Sequence, residues 1–383
     1  MYAINNCRVY TGTRLLADKA VIIDDDKIVE IVNQSDLPAG ISAINLNGLS
    51  VAPGFIDIQI NGGGGRLFNE EPSVSTISTI CKAHKRFGTT NFLPVLLSDS
   101  REKMISAVEA VQYCLDKKLH GVLGLHLEGP YINEKKAGVH NKNYIRDLNA
   151  EELNELIKAA EAKALKLLTV APEVVRPDYL KMLADAGVLL SAGHSDITYG
   201  DAVKCFENGI TCVTHLFNAM SQLNSREPGL VGAALQAENV WAGIIADGLH
   251  VHYATIDIVK RIKGRKLFLI TDAMPPVGKA CRNFMLGEYA VECRDGKCAT
   301  EDGILAGSAL DMATAVRNCV KEIAIPIEEA LRMASTYAAE FLGMGLELGK
   351  IKSGYDANIV IFDDKMEVKG VIINGNFEFW ANS

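Results

Sequence analysis

Short apolar runs recur along the middle of the chain, most of them followed by a stretch whose apolar positions repeat with the helical period. Eight runs read as strands, at 54–60, 90–95, 121–127, 165–170, 187–192, 210–214, 241–246 and 266–271. Stretches such as 150–163 and 199–208 read as amphipathic helices between them. Repeated βα units of this length predict a parallel sheet, and eight of them favour a closed (β/α)8 barrel over an open doubly wound sheet. The pattern breaks between about 281 and 307, where Asp295-Gly296 marks a hairpin turn, and closes with helices at 308–323 and 327–342.

The two ends of the chain have a different texture. Strand-like runs at 3–10, 20–23 and 27–32, separated by Asp24-Asp25-Asp26, are matched at the far end by 357–362, 368–373 and an Asn374-Gly375 turn. Residues 1–52 and 346–383 are therefore expected to pair into one small β-sandwich domain, with the 53–345 barrel inserted between its halves.

Composition adds exclusions. The chain has 383 residues, 48% hydrophobic and 22% charged, as in an ordinary globular protein. A net charge of −8 argues against nonspecific nucleic-acid binding and gives no reason for attachment to an anionic membrane. An anionic substrate would need cations supplied locally. Met1-Tyr2-Ala3-Ile4-Asn5-Asn6 carries no basic segment followed by an apolar one, and no apolar run is long enough to span a bilayer, so the cytoplasm is the expected location. Nine cysteines without a Cys-x-x-Cys pair predict reduced, buried thiols rather than a disulfide framework. Cys293 and Cys298 are the exception in geometry, because a two-residue Asp295-Gly296 turn would set them opposite one another.

The candidate chemistry lies where the strands end. The 121–127 run drives into Glu128 and is stopped by Gly129-Pro130. Strand one ends in Gln59 and Asn61, strand five in His194, strand six in His215, strand seven in Asp247 and His250, and strand eight in Asp272. Carboxyl ends of barrel strands are where such folds keep their active sites. Alone, Glu128 could equally cap a helix; with His194 and His215 it makes a three-ligand set for a catalytic metal. Asp272 is then placed to take a proton from water and pass it to a leaving group, or else to cap a helix or support a ligand histidine.

Pro53-Gly54-Phe55-Ile56-Asp57, His126-Leu127-Glu128-Gly129-Pro130, Ser191-Ala192-Gly193-His194-Ser195, Thr214-His215-Leu216-Phe217-Asn218-Ala219-Met220 and Thr271-Asp272-Ala273 occur in this order. Arg226-Glu227-Pro228-Gly229 and Ala246-Asp247-Gly248-Leu249-His250 stand among them. Together they resemble the N-acetylglucosamine-6-phosphate deacetylases of the amidohydrolase superfamily, over essentially the whole chain. The resemblance implies an enzyme that removes acetate from a phosphorylated amino sugar. It makes Glu128, His194 and His215 the metal ligands and Asp272 the base. It has His140 polarise the acetyl carbonyl and Asn218 and Ala219 contact the sugar phosphate. It also implies a homodimer, or a dimer of dimers, in which Arg226 and His250 reach the 6-phosphate from the neighbouring subunit; a planar guanidinium suits phosphate oxygens.

Many amidohydrolases end strand one with His-x-His and bind a second metal there, whereas this chain has Gln59-Ile60-Asn61. Neutral amides are weak ligands for zinc or iron, so one divalent ion per subunit is expected, zinc first and ferrous iron second. The His250-Val251-His252 repeat follows strand seven, and His252 reads as a surface or support residue. Gly62-Gly63-Gly64-Gly65 lacks the Gly-Lys-Ser/Thr of a nucleotide loop and reads as tight backbone packing beside the site. The alternatives are an N-acetylgalactosamine-6-phosphate deacetylase, a two-metal cyclic-amide hydrolase and a noncatalytic scaffold on the same barrel.

Overall fold

A computed structural model describes residues 1–119 and 121–380, so the last three residues of the expected 346–383 segment lie outside it. An eight-stranded sheet runs β1 (Phe55–Ile60), β2 (Thr89–Leu97), β3 (Leu125–Glu128), β4 (Leu165–Val170), β5 (Leu189–Ala192), β6 (Ile210–Val213), β7 (Trp241–Ile245) and β8 (Leu267–Ile270), paired in that order. From β2 to β8 every ladder is parallel. Ile60 bridges Ala273 in parallel, Asn61 N–H donates to Ala273 O at 3.0 Å and Asp272 N–H to Gln59 O at 3.0 Å, which closes the first strand on the last. The expected (β/α)8 barrel is therefore present. Its strands are legible as apolar runs because they are buried on both faces, as β1 and β2 are along their whole length.

Several expected elements are shorter than the pattern suggested, among them strand 187–192, which begins at Leu189, and helix 308–323, which begins at Met312 because Ser308 ends a strand. The 121–127 run becomes a strand only at Leu125, since Gly124 has φ 139° and a Cβ there would lie 2.5 Å from Lys166. Helix 327–342 is two pieces, Ile327–Ala334 and Thr336–Phe341, divided at Ser335 with φ −142° and ψ −72°. The helix Ala150–Glu161 begins where Asn149 accepts hydrogen bonds from the Glu151 and Glu152 amides, an N-cap that sequence alone marks.

The terminal segments share one mixed sheet. Ser50–Pro53 pairs parallel to Tyr2–Tyr10 on one side and antiparallel to Ile359–Phe362 on the other, so the two ends of the chain interlock through adjacent strands. Ile4, Val9, Val21, Ile23, Val51 and Ile361 fill the core over it.

The chain divides into two compact units, one of residues 1–57, 84–91 and 311–383, the other of residues 58–83 and 92–310. This differs from boundaries at 52/53 and 345/346. The helix Met312–Glu322 goes with the terminal segments: Arg317 donates to the carbonyls of Lys365 and Met366, and Thr336 donates to Gly349 O at 2.7 Å.

Within the second unit, Asn283–Leu286, Tyr289–Arg294, Lys297–Thr300 and Leu305–Ser308 form a four-stranded antiparallel sheet. Asp295 (φ 51°) and Gly296 (φ 82°) make the two-residue turn, with Cys293 directly across from Cys298. These two are disulfide-bonded, which corrects the expectation of reduced thiols for this pair; the other seven cysteines form no disulfide among the described residues. Among the described residues no helix is long and apolar enough to cross a membrane.

Candidate active site

Glu128 is the last residue of β3, and His194, His215 and Asp272 each follow their strands β5, β6 and β8 by two residues. Closure of the barrel brings these ends together. All three followers leave their strands in left-handed backbone, with φ 50° at His194, 31° at His215 and 52° at Asp272. A side chain in that region costs about 1–2 kcal/mol, and such strain persists only where surrounding bonds hold it. Here the backbone of Asp272 is pinned on both sides, its N–H to Gln59 O and its carbonyl by Ser308 N–H at 2.9 Å.

The three expected ligands meet. His194 Nε2 and His215 Nε2 each lie 2.9 Å from Glu128 Oε1 and 3.1 Å from one another. All three residues are buried. His194 Nδ1 faces the Lys136 carbonyl at 2.8 Å and must donate to it, so Nε2 of the neutral ring carries a lone pair. A lone pair aimed at a carboxylate oxygen is repulsive unless a proton or cation stands between them. Tetrahedral bonds of about 2.0–2.1 Å imply ligand separations of about 3.3 Å, close to those seen, so the donor set fits a divalent metal. Burial opposes charge on Glu128, but the two imidazoles outweigh it and hold the carboxyl well below its ordinary range. His215 is raised for the same reason: burial pulls it down and the Glu128 carboxylate more than compensates.

Asp272 behaves oppositely. Burial and then the nearby Glu128 carboxylate raise it above the usual range. Gln59 Nε2 lies 3.0 Å from Glu128 Oε2 and 3.2 Å from Asp272 Oδ1, and Asn61 Nδ2 lies 2.6 Å from the same Oδ1. The strand-one amides thus hold the two carboxylates, Gln59 touching both and Asn61 touching Asp272.

His140 completes the inner wall. The Ser98 backbone N–H donates to its Nδ1 at 3.2 Å, with the Ser98 hydroxyl at 2.8 Å, so the ring proton sits on Nε2, 4.0 Å from Glu128 Oε1. Burial, followed by the charge of His194, drives this imidazole down to about 3, which keeps it a neutral donor.

Glu128, His140, His194, His215, His250 and Asp272 line one cavity of about 370 Å³, as do Asn218 and Ala219. His250 holds Asp247 Oδ2 at 2.6 Å through Nδ1. It lines the cavity of its own chain, which differs from the arrangement in which it reaches in from a neighbouring subunit. Arg226 does not line this cavity and is exposed. His252 caps the helix Tyr253–Lys263 by accepting the Ala254 N–H, a support role as expected. Gly64 and Gly65 donate to Val277 O and Pro275 O, so the glycine run serves backbone packing. Sequence reasoning missed Ser98 and Lys136, which act here mainly through main-chain atoms, and Lys135, Met274 and Leu305, which line the cavity.

The amidohydrolase family model matches residues 50–377, and the NagA composite domain matches residues 1–51. An N-acetylglucosamine-6-phosphate deacetylase of Haemophilus influenzae is 36% identical over 98% of this chain and 99% of its own. An N-acetylgalactosamine-6-phosphate deacetylase of a Shewanella species is 37% identical over 97% of this chain and 98% of its own. The crystal structure of N-acetylglucosamine-6-phosphate deacetylase from Pasteurella multocida superposes with a TM-score of 0.96 at 38% identity, covering 99% of both chains. With the amidohydrolase family model matching most of its length and relatives aligned end to end, the chain belongs to the amidohydrolase family.

Proposed function

We propose that this protein hydrolyses the acetamide of N-acetylglucosamine 6-phosphate to glucosamine 6-phosphate and acetate. The observation that carries the reading is a buried Glu128–His194–His215 ligand set beside a second buried carboxyl, Asp272, in one cavity. The full-length likeness to enzymes so named supports the substrate. Glu128, His194 and His215 would hold one divalent ion, zinc or else ferrous iron, which when bound supplies Lewis acidity and an activated water.

The chain's own groups do the rest. Asp272 accepts the proton of the attacking water and later delivers it to the departing amine. His140 donates from Nε2 to the acetamide oxygen as negative charge develops there. Asn218 and Ala219 contact the sugar phosphate. His250, from its own cavity, and Arg226, from the neighbouring subunit of a homodimer or dimer of dimers, take the 6-phosphate. A phosphorylated sugar does not cross a bilayer unaided, which supports a cytoplasmic location.

Acetate release from N-acetylglucosamine 6-phosphate and from its galacto epimer, measured with metal content, tests the reading. Faster turnover of the gluco sugar by protein with one metal per chain is expected. Preference for the galacto sugar would favour the second reading, which the Shewanella relative motivates. No acetate from either would overturn both.

A further inference from the structure

Gln59 and Asn61 stand where many barrel hydrolases place two histidines, yet here they are engaged with carboxylates. An amide oxygen turned toward a carboxylate would set acceptor against acceptor, so both side chains must present nitrogen. The two hydrogens of Gln59 Nε2 are then divided between Glu128 Oε2 at 3.0 Å and Asp272 Oδ1 at 3.2 Å. Asn61 Nδ2 donates to Asp272 Oδ1 at 2.6 Å. Glu128 has already given Oε1 to His194 and His215.

Asn61 Oδ1, by contrast, is buried without a hydrogen-bond partner among the described residues. Leaving such an acceptor bare costs about 1–3 kcal/mol, which an apolar side chain of the same shape would avoid. A residue retained at that cost is retained for its donor. Asp272 Oδ1 is thereby saturated by two N–H groups while its backbone is fixed by Gln59 O and Ser308 N.

We propose that Gln59 and Asn61 are positioning residues for Asp272, clamping Oδ1 with neutral donors so that Oδ2 is the oxygen that takes and returns the proton. Gln59 lies between two like charges as a second cation would, while Asn61 reaches Asp272 alone. This inference rests on Asp272 being the base proposed above.

The test uses Asn61→Leu and Gln59→Met, both near-isosteric and lacking the donors, with kcat, KM, metal content and denaturant midpoint measured for each. Loss of an orienting partner of this kind lowers kcat by about 10–100-fold. KM should stay within about twofold and metal content at the wild-type level. Asn61→Leu removes the bare Oδ1 but also takes one donor from Asp272, opposing effects of comparable size, so its denaturant midpoint should stay near that of wild type. In an Asp272→Asn background neither change should slow the residual rate further. Wild-type kcat in both single variants, a fall in kcat that tracks lost metal, or full additivity with Asp272→Asn would overturn the inference. If Asp272→Asn itself turns over normally, the assignment of the base fails; if it is slow while Asn61→Leu and Gln59→Met are fast, only the positioning role fails.

Discussion

Glu128 assigns its two oxygens to different tasks, Oε1 to the imidazoles and Oε2 to Gln59. Removing the charge while keeping the shape, as in Glu128→Gln, should therefore leave the barrel folded but strip most of the metal, read as metal per chain after dialysis. Asp272→Asn should do the reverse, retaining metal and fold while kcat falls on the order of a hundredfold or more. Glu128, His194, His215 and Asp272 were legible as a candidate site because they fall together at strand ends; any one of them alone has an ordinary structural use. Ser98 and Lys136 were not, because the amide of one and the carbonyl of the other set the histidine tautomers. Every residue has those atoms, so composition cannot mark them. His250 was legible as a site residue, but a sequence cannot say which chain's cavity a side chain enters.

Between strands, the polar interior is organised by His126, which no step of the chemistry uses. Its Nδ1–H donates to Ile58 O on β1 at 2.9 Å, and Nε2 accepts the Thr169 hydroxyl of β4 at 2.8 Å. Thr169 must then accept from Thr214, and Thr214 from Ser191, each at 2.6 Å, so the whole series runs in one direction. Burial lowers His126 to about 4, consistent with the neutral ring this requires. His126→Phe takes the donor from the Ile58 carbonyl and the acceptor from the Thr169 hydroxyl, which keeps only Thr214, and should cost about 1–3 kcal/mol in total, seen as a lower denaturant midpoint at unchanged slope. At the edge of the other unit, Gly375 has φ 74° and a Cβ there would lie 1.6 Å from Asp25 O. Gly375→Ala should destabilise by more than about 1 kcal/mol in the same measurement. The barrel strands and the 295–296 turn were readable from period and turn chemistry. The break at Ser335 was not, since serine is neutral in helices and its neighbours keep the apolar pattern.

For the molecule as a whole, a net charge of −8 means that any affinity for a phosphorylated sugar depends on a few cations. Arg226 does not line the cavity of its own chain; on the proposed homodimer, mixing Asp272→Asn chains with Arg226→Ala chains should restore acetate release that neither shows alone at low substrate, since one site in each mixed dimer is then complete. Mixtures with no gain would place Arg226 elsewhere. The interlocked ends and the barrel were legible at this scale; the division at residue 311 was not, because it depends on long-range bonds such as Arg317 to the Lys365 carbonyl. The left-handed backbone at His194, His215 and Asp272 carries a consequence for engineering. Glycine at position 272 in metal-free protein should resist denaturant better than alanine there, by about 0.5–1 kcal/mol. Neither variant carries the carboxyl, so the difference between them isolates the strain that this one φ of 52° imposes on any side chain placed where the proposed base stands.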